Sequence, residues 1–207
     1  MTAIKLDGRE VSEAVRNRLA SAISDLDFVP ALHFVRVGEN PASVSYVRSK
    51  ERLAASLGVA SHVHVLPADT SQAAVMNTVQ HLNTEADVDG ILVQLPLPDH
   101  LDSAPVLQAI DPAKDVDGLH PINVGRLWAG QDGLFPCTPL GLIAILKYYD
   151  IAIESKNVVI VGRSNLVGKP AAALFLREHA TVTVAHSRTM DLAGLCQQAD
   201  ILVSAVG

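Results

Sequence analysis

Apolar segments of two kinds alternate along this chain, and that alternation constrains its fold more than any other feature. Short runs rich in Val, Ile and Leu, namely ALHFVRVG at 31–38, VASHVHVL at 59–66 and DGILVQL at 89–95, are separated by segments with helical spacing. Residues 9–24 repeat Val11, Val15, Leu19 and Ile23 every fourth position, which puts them on one helix face. Asn40 and Pro41 form an N-cap and first helical position for a segment that runs through SYVRSKERLAASLG to Gly58. SQAAVMNTVQHLN and SAPVLQAI follow as a helix and a short helix. Strand followed by helix, repeated, predicts an α/β fold with a parallel sheet and right-handed crossovers. Residue usage agrees, because 49% of residues are hydrophobic and only 4% aromatic, the bias of strands buried on both faces.

Between Asp111 and Pro139 the pattern breaks. Pro112, Pro121, Pro136 and Pro139 punctuate this stretch, with Gly118, Gly125, Gly130 and Gly133 between them. A domain boundary is expected here, giving domains at 1–138 and 139–207. The second resumes the alternation: GLIAILKYY, KPAAALFLREH and MDLAGLCQQA read as helices, and KNVVIVG, TVTVAHS and DILVSAVG as strands.

Charge and composition exclude several function classes. A formal net charge of -6 over 207 residues, without a clustered Lys/Arg stripe, offers no footprint for a phosphate backbone, so nucleic acid is not expected as a partner. The opening MTAIKLDGREVSEAV lacks the apolar core of a secretory signal, and no apolar run spans a bilayer. No membrane association is expected, and the cytoplasm is the expected compartment. Cys137 and Cys196 are too few and too far apart for a disulfide scaffold or zinc knuckle.

The segment VVIVGRSNLVGKP sets Gly162, Ser164 and Gly168 between a strand and a helix, where backbone N–H groups and a helix N-terminus can hold a pyrophosphate. Its spacing, G-x-S-x-x-x-G, is one residue longer than the usual dinucleotide fingerprint, so a plain tight turn is the alternative. After the next strand come His186, Ser187, Arg188 and Thr189, with no carboxylate to accept from a ribose 2′-hydroxyl. Arg188 and the nearby Arg163 suit instead the additional phosphate of NADP, which guanidinium grips through paired charged bonds. The competing possibility is that Arg188 is a solvated surface residue.

In the first half, Tyr46 and Lys50 lie four positions apart and share a helix face. They follow the carboxyl end of ALHFVRV, and Gln94 sits at the carboxyl end of DGILVQL. Ligands of open α/β sheets bind beyond these strand ends, so the three groups can converge on one cleft. An amide in an apolar strand needs partners, since burying it unpaired costs about 1–3 kcal/mol. KDVDGLHP adds Asp115, Asp117 and His120. A carboxylate here can accept two N–H bonds from a planar ring edge. A metal reading of the same three residues is open by donor type, although their spacing matches no known metal loop.

SYVRSK at 45–50, the run from Gln72 that ends in GILVQLPLP, KDVDGLHPINVGRL at 114–127, PCTPLG at 136–141, GRSNLVGKP at 162–170 and HSRT at 186–189 together resemble the bifunctional methylenetetrahydrofolate dehydrogenase/methenyltetrahydrofolate cyclohydrolase family. The resemblance covers nearly the whole chain and shares the lengthened glycine loop. It implies an N-terminal folate-binding α/β domain with a parallel sheet and a C-terminal Rossmann-type NADP domain that stops short of the family's closing strands, PGGVGP segment and final helix. It implies NADP as cofactor, tetrahydrofolate derivatives as ligands, a homodimer, and a place in one-carbon metabolism that supplies purine precursors. The implied catalytic set is Lys50 as acid/base, Tyr46 orienting the folate, Gln94 bonding Lys50, and Asp117 gripping the pterin. Tyr46, Gln94, Leu95, Pro96 and Asp117 are the implied substrate contacts. The implied cofactor contacts are Gly162, Arg163, Ser164, Val167, Gly168, Ser187, Arg188, Cys137 and Thr138, with no metal. A different two-domain NADP dehydrogenase, resembling shikimate dehydrogenase, is the rival; it has no place for LVQLP or PCTP.

Overall fold

The computed structural model describes residues 3–206, and these divide into two compact units. One comprises Glu13–Val116; the other runs from Asp117 onward and includes the residues up to Ser12.

In the first unit β1 (Ala31–Val37) is central, flanked by β2 (Ala60–Leu66) and β3 (Gly90–Val93), all parallel. The connecting helices are α2 (Pro41–Ser56), α3 (Gln72–Thr84) and the short α4 (Ser103–Ala109), while α1 (Gly8–Ser24) precedes β1. Alternation along β1 assigns its faces. Val35 and Val37 pack with Val75, Val79 and Leu82 of α3 and with Ile91 and Val93, whereas Phe34 packs with Val47 of α2 and Leu92. Burial of β3 on both faces explains its unbroken apolar run. The expected cap is present: Asn40 Oδ1 accepts from the Ala42 and Ser43 amides at 3.0 and 3.3 Å, with Pro41 in the first turn.

The second unit repeats the plan. β4 (Asn157–Val161) lies between β5 (Thr181–Ala185) and β6 (Ile201–Ser204), again all parallel, with α6 (Cys137–Tyr148), α7 (Gly168–Arg177) and α8 (Leu192–Gln197). Ile143, Ile153, Val158, Ile160, Phe175 and Val203 form its core. The N-terminal segment is held here through Tyr149, whose Oη accepts from the Asp7 amide at 2.8 Å and donates to Glu10 at 3.0 Å.

Two features depart from the sequence expectation. Residues 117–138, expected to close the first domain, pack with the second unit, because a helix forms there: α5 (Pro121–Trp128) buries Leu127 in that core. Pro121 is its first residue and the His120 ring accepts from the Ile122 amide at 3.1 Å, so the proline that looked like punctuation begins a helix. α6 likewise starts at Cys137, four residues before the expected GLIAILKYY.

Candidate active site

In both sheets the first strand is central and the third crosses to its other side, so each has a switch point where ligand crevices form: between β1 and β3, and between β4 and β6. Tyr46 and Lys50 come after β1 and Gln94 after β3, whereas Arg163 and Ser164 follow β4 and Ser187 and Arg188 follow β5.

In the first unit α2 leaves the carboxyl end of β1 and carries Tyr46, 64% exposed, and the half-buried Lys50 one turn later. Gln94 lies one residue past β3, its amide donating to Val35 O at 2.8 Å and fixing it to the end of β1. The Gln94 side chain donates Nε2 to Leu95 O at 2.6 Å, and its buried Oε1 has no partner. No hydrogen bond joins Gln94 to Lys50 among the described residues; the Gln94 NH2 donates to the adjacent carbonyl, while its Oε1, the atom that an ammonium would reach, stays without a donor. A buried acceptor without a donor costs stability, and a ligand N–H or the Lys50 ammonium would satisfy it. Leu95 and Pro96 continue the chain from there, joined by a cis peptide.

Asp117 opens the second unit, half-buried and already engaged in an interaction. Gly118 follows with φ +63°, and a Cβ there would lie 2.5 Å from Leu134 O, so this position admits only glycine without strain. Among the described residues no group of three or more His, Cys, Asp or Glu side chains is disposed to hold a metal ion, the set Asp115, Asp117 and His120 included. The His120 ring serves instead as a helix cap.

The odd glycine loop has a physical explanation. Ser164 Oγ accepts from the amides of Val167 and Gly168 at 3.2 and 3.3 Å, and its carbonyl accepts from Lys169 at 3.0 Å. The extra residue lets the hydroxyl cap α7 from inside the loop, a role the usual glycine could not fill. Gly162, at φ +122°, has Ala205 O only 2.2 Å from where a Cβ would lie, and Gly168 is pressed equally closely on Gly162 O. Both glycines are therefore required by close approach of backbone.

The 186–189 turn ends the neighbouring strand, and Gly162 N donates to Ala185 O at 2.8 Å, joining the two loops. This turn closes on itself: Thr189 Oγ1 accepts from His186 N at 2.9 Å, and His186 Nδ1 accepts from Arg188 N at 3.2 Å. Ser187 and Arg188 are left exposed at its tip, with Arg163 and Ser164 exposed on the adjoining loop. Cys137 and Thr138 are exposed at the first turn of α6 and Val167 is half-buried before α7. Sequence reasoning missed the capping roles of Ser164, His120 and Thr189; Ser, His or Thr beside a helix start or a tight turn was the available signal.

Comparison with known proteins identifies the family. The profile for the tetrahydrofolate dehydrogenase/cyclohydrolase catalytic domain matches residues 6–117, and that for the same family's NAD(P)-binding domain matches 136–207. Bifunctional protein FolD of Thermus thermophilus is 53% identical over 207 residues, covering 100% of this chain and 73% of the relative. The crystal structure of the bifunctional FolD enzyme from Campylobacter jejuni superposes with a TM-score of 0.95 at 42% identity, over 98% of this chain and 73% of that one. FolD of Trypanosoma brucei, solved with NADP cofactor and inhibitor, gives 0.94 at 37% identity, over 100% and 73%. The chain belongs to the tetrahydrofolate dehydrogenase/cyclohydrolase family.

Proposed function

We propose that this chain oxidises methylenetetrahydrofolate to methenyltetrahydrofolate with NADP and hydrolyses the product to formyltetrahydrofolate. The observation that carries the proposal is the unsatisfied buried Oε1 of Gln94, one residue past β3 at the β1–β3 switch point, with the helix that bears Tyr46 and Lys50 leaving the end of β1. NADP, when bound, accepts the hydride. The second unit fits it: exposed Arg163, Ser187 and Arg188 stand at adjoining strand ends, with no carboxylate among residues 186–189 to repel a 2′-phosphate.

The chain's own residues then have distinct tasks. Tyr46 presents an exposed ring on which a flat substrate can stack, fixing its distance and tilt. Asp117 accepts from the ring-edge N–H groups of the pterin. Gln94 Oε1 is a neutral acceptor for the Lys50 ammonium or for substrate; a carboxylate at that position would hold the lysine protonated. Lys50 moves the proton that hydrolysis requires, from attacking water and toward the departing ring nitrogen. Tyr46, Lys50 and Gln94 belong to the first unit, Arg163, Ser187 and Arg188 to the second, and Asp117 is the residue at which the second begins.

The family resemblance is also what supports a homodimer, which light scattering would check, and a cytoplasmic location, which fractionation of the host cell would check. No helix among the described residues is long and apolar enough to cross a membrane. The deciding experiment is to follow NADPH formation with methylenetetrahydrofolate, and separately the decay of methenyltetrahydrofolate. Both activities are expected; absence of both overturns the assignment.

A further inference from the structure

Lys114 is half-buried, and its ammonium forms no ion pair among the described residues. Its Nζ donates to three backbone carbonyls, Leu82 O at 3.3 Å, Asn83 O at 2.9 Å and Glu85 O at 2.8 Å. Leu82 O and Asn83 O are among the last carbonyls of α3 and Glu85 O is that of its C-cap, which also accepts from Val88 N at 3.4 Å; here the helix dipole places partial negative charge. One side chain thus uses all three of its protons to cap a helix that is remote from it in sequence.

The same residue is also pinned through its backbone. Lys114 N donates to Asp111 O at 2.8 Å, and Lys114 O accepts from Ile91 N at 2.7 Å. Asp115, 1% exposed, then stands opposite Ile91 as a one-residue extension of the sheet. Val116 is seated so closely that a Cβ on Gly90 would lie 2.5 Å from its Cγ1. Asn83 braces the approach from the same helix end, donating Nδ2 to Ala109 O at 2.7 Å and accepting from Asp111 N at 2.8 Å. The next residue is Asp117. Between a rigid helix end and the carboxylate assigned to the pterin there are only three residues of chain, and Lys114 ties their root to α3.

We infer that Lys114 is a positioning residue for folate recognition: by clamping the 114–116 segment onto the end of α3 and the edge of β3, it fixes where Asp117 is presented. This rests on the folate assignment made above. Its requirement is a cation with several donors at a helix carboxyl end. Arginine partly meets that requirement and methionine, of similar length, does not.

The test compares the parent chain with Lys114→Met and Lys114→Arg by amide hydrogen exchange and by calorimetric binding of tetrahydrofolate and NADP. In Lys114→Met, protection at Ile91 and at 115–119 is expected to fall while the β1–β2 ladder stays protected. Tetrahydrofolate affinity should weaken about tenfold, comparable to one charged hydrogen bond lost, with NADP affinity unchanged. Lys114→Arg should recover part of both losses. A residue that merely stabilised the fold would weaken both ligands alike or neither. Unchanged protection at 115–119 in a folded Lys114→Met chain overturns the inference, as does unchanged tetrahydrofolate affinity once that protection is lost. If the parent chain itself binds no tetrahydrofolate, the functional assignment fails, and exchange alone decides whether Lys114 fixes the segment.

Discussion

Lys50 and Tyr46 share a helix face yet serve different halves of the proposed chemistry, and substitution should separate them. Hydride transfer needs alignment of the reacting rings and no proton from an amine. Hydrolysis needs proton movement, worth about 100- to 10,000-fold. Lys50→Met is therefore expected to abolish methenyltetrahydrofolate hydrolysis while leaving measurable NADPH formation, in stopped-time assays of each step. Hydrolysis at the parent rate would make Lys50 a packing or binding residue. At the cofactor end, Arg188 and Arg163 are exposed and Arg188 forms no ion pair among the described residues. Arg188→Ala should raise the dissociation constant for NADP by about tenfold or more, the scale of a charged bond, and leave that for NAD nearly unchanged. Equal losses would show that the arginine supports the turn and does not read the phosphate.

Elements carry a different kind of consequence. β1 and β2 bring three histidines onto one face: His33 Nδ1 and His64 Nε2 lie 2.9 Å apart, and the His33 and His62 rings are 4.7 Å apart. Burial is the main cause of a lowered pKa at both His33 and His64, followed by repulsion from His62; His64 and Lys114 push His33 further down, Asp87 pulls it up, and His81 lowers His64. A lowered folded-state pKa means that below about pH 6.5 the unfolded chain binds more protons than the folded one. Stability is then fully present above that pH and falls as the solution is acidified. The hydrogen bond between the two rings fails in the same range, because two imidazoliums are both donors. Thermal midpoints are expected to drop between pH 7 and pH 5.5, and His64→Gln should flatten that slope; an unaltered slope would show the trio titrates freely. A second consequence lies in the turn after Asp117. Gly118→Ala should cost more than about 1 kcal/mol, since its backbone is left-handed and Leu134 O blocks a Cβ; a chemical-denaturation midpoint matching the parent would refute this.

The elements also show what could be read in advance. The β1, α2, β2, α3 and β3 series was legible because each has an unmixed period and clear caps. α5 was not, because the helix is only eight residues long, shorter than the window in which helical spacing stands out. Of the glycine loop, the glycines were legible by their own type, since close backbone approach at Gly162 and Gly168 leaves no room for a side chain. A side chain that acts on distant backbone was not legible: nothing local to Lys114 signals that its partners are Leu82, Asn83 and Glu85.

At the scale of the whole molecule, the two units have separate cores, and Tyr46, Lys50 and Gln94 lie in one while Arg163, Ser187 and Arg188 lie in the other. Binding stabilises the unit that holds the ligand, by about 2.7 kcal/mol at a hundredfold excess over the dissociation constant. NADP alone should therefore slow amide exchange in β4, β5 and β6, and tetrahydrofolate alone in β1 and β3, as measured by mass spectrometry of the intact chain. Identical protection of both sheets by either ligand would contradict the division.

The order β2-β1-β3 has a further consequence for a chain made from its N-terminus. The central strand is synthesised first, yet its second neighbour is not available until residue 93 has left the ribosome, and the outer edge of that neighbour is covered only when Asp115 arrives. Until then β1 and β3 present open backbone, the surface on which nascent chains pair wrongly with one another. Synthesis of the first unit thus has an interval, ending at the KDVDG segment, in which the β3 edge lacks the bridge to Asp115 that the Lys114 clamp holds in place.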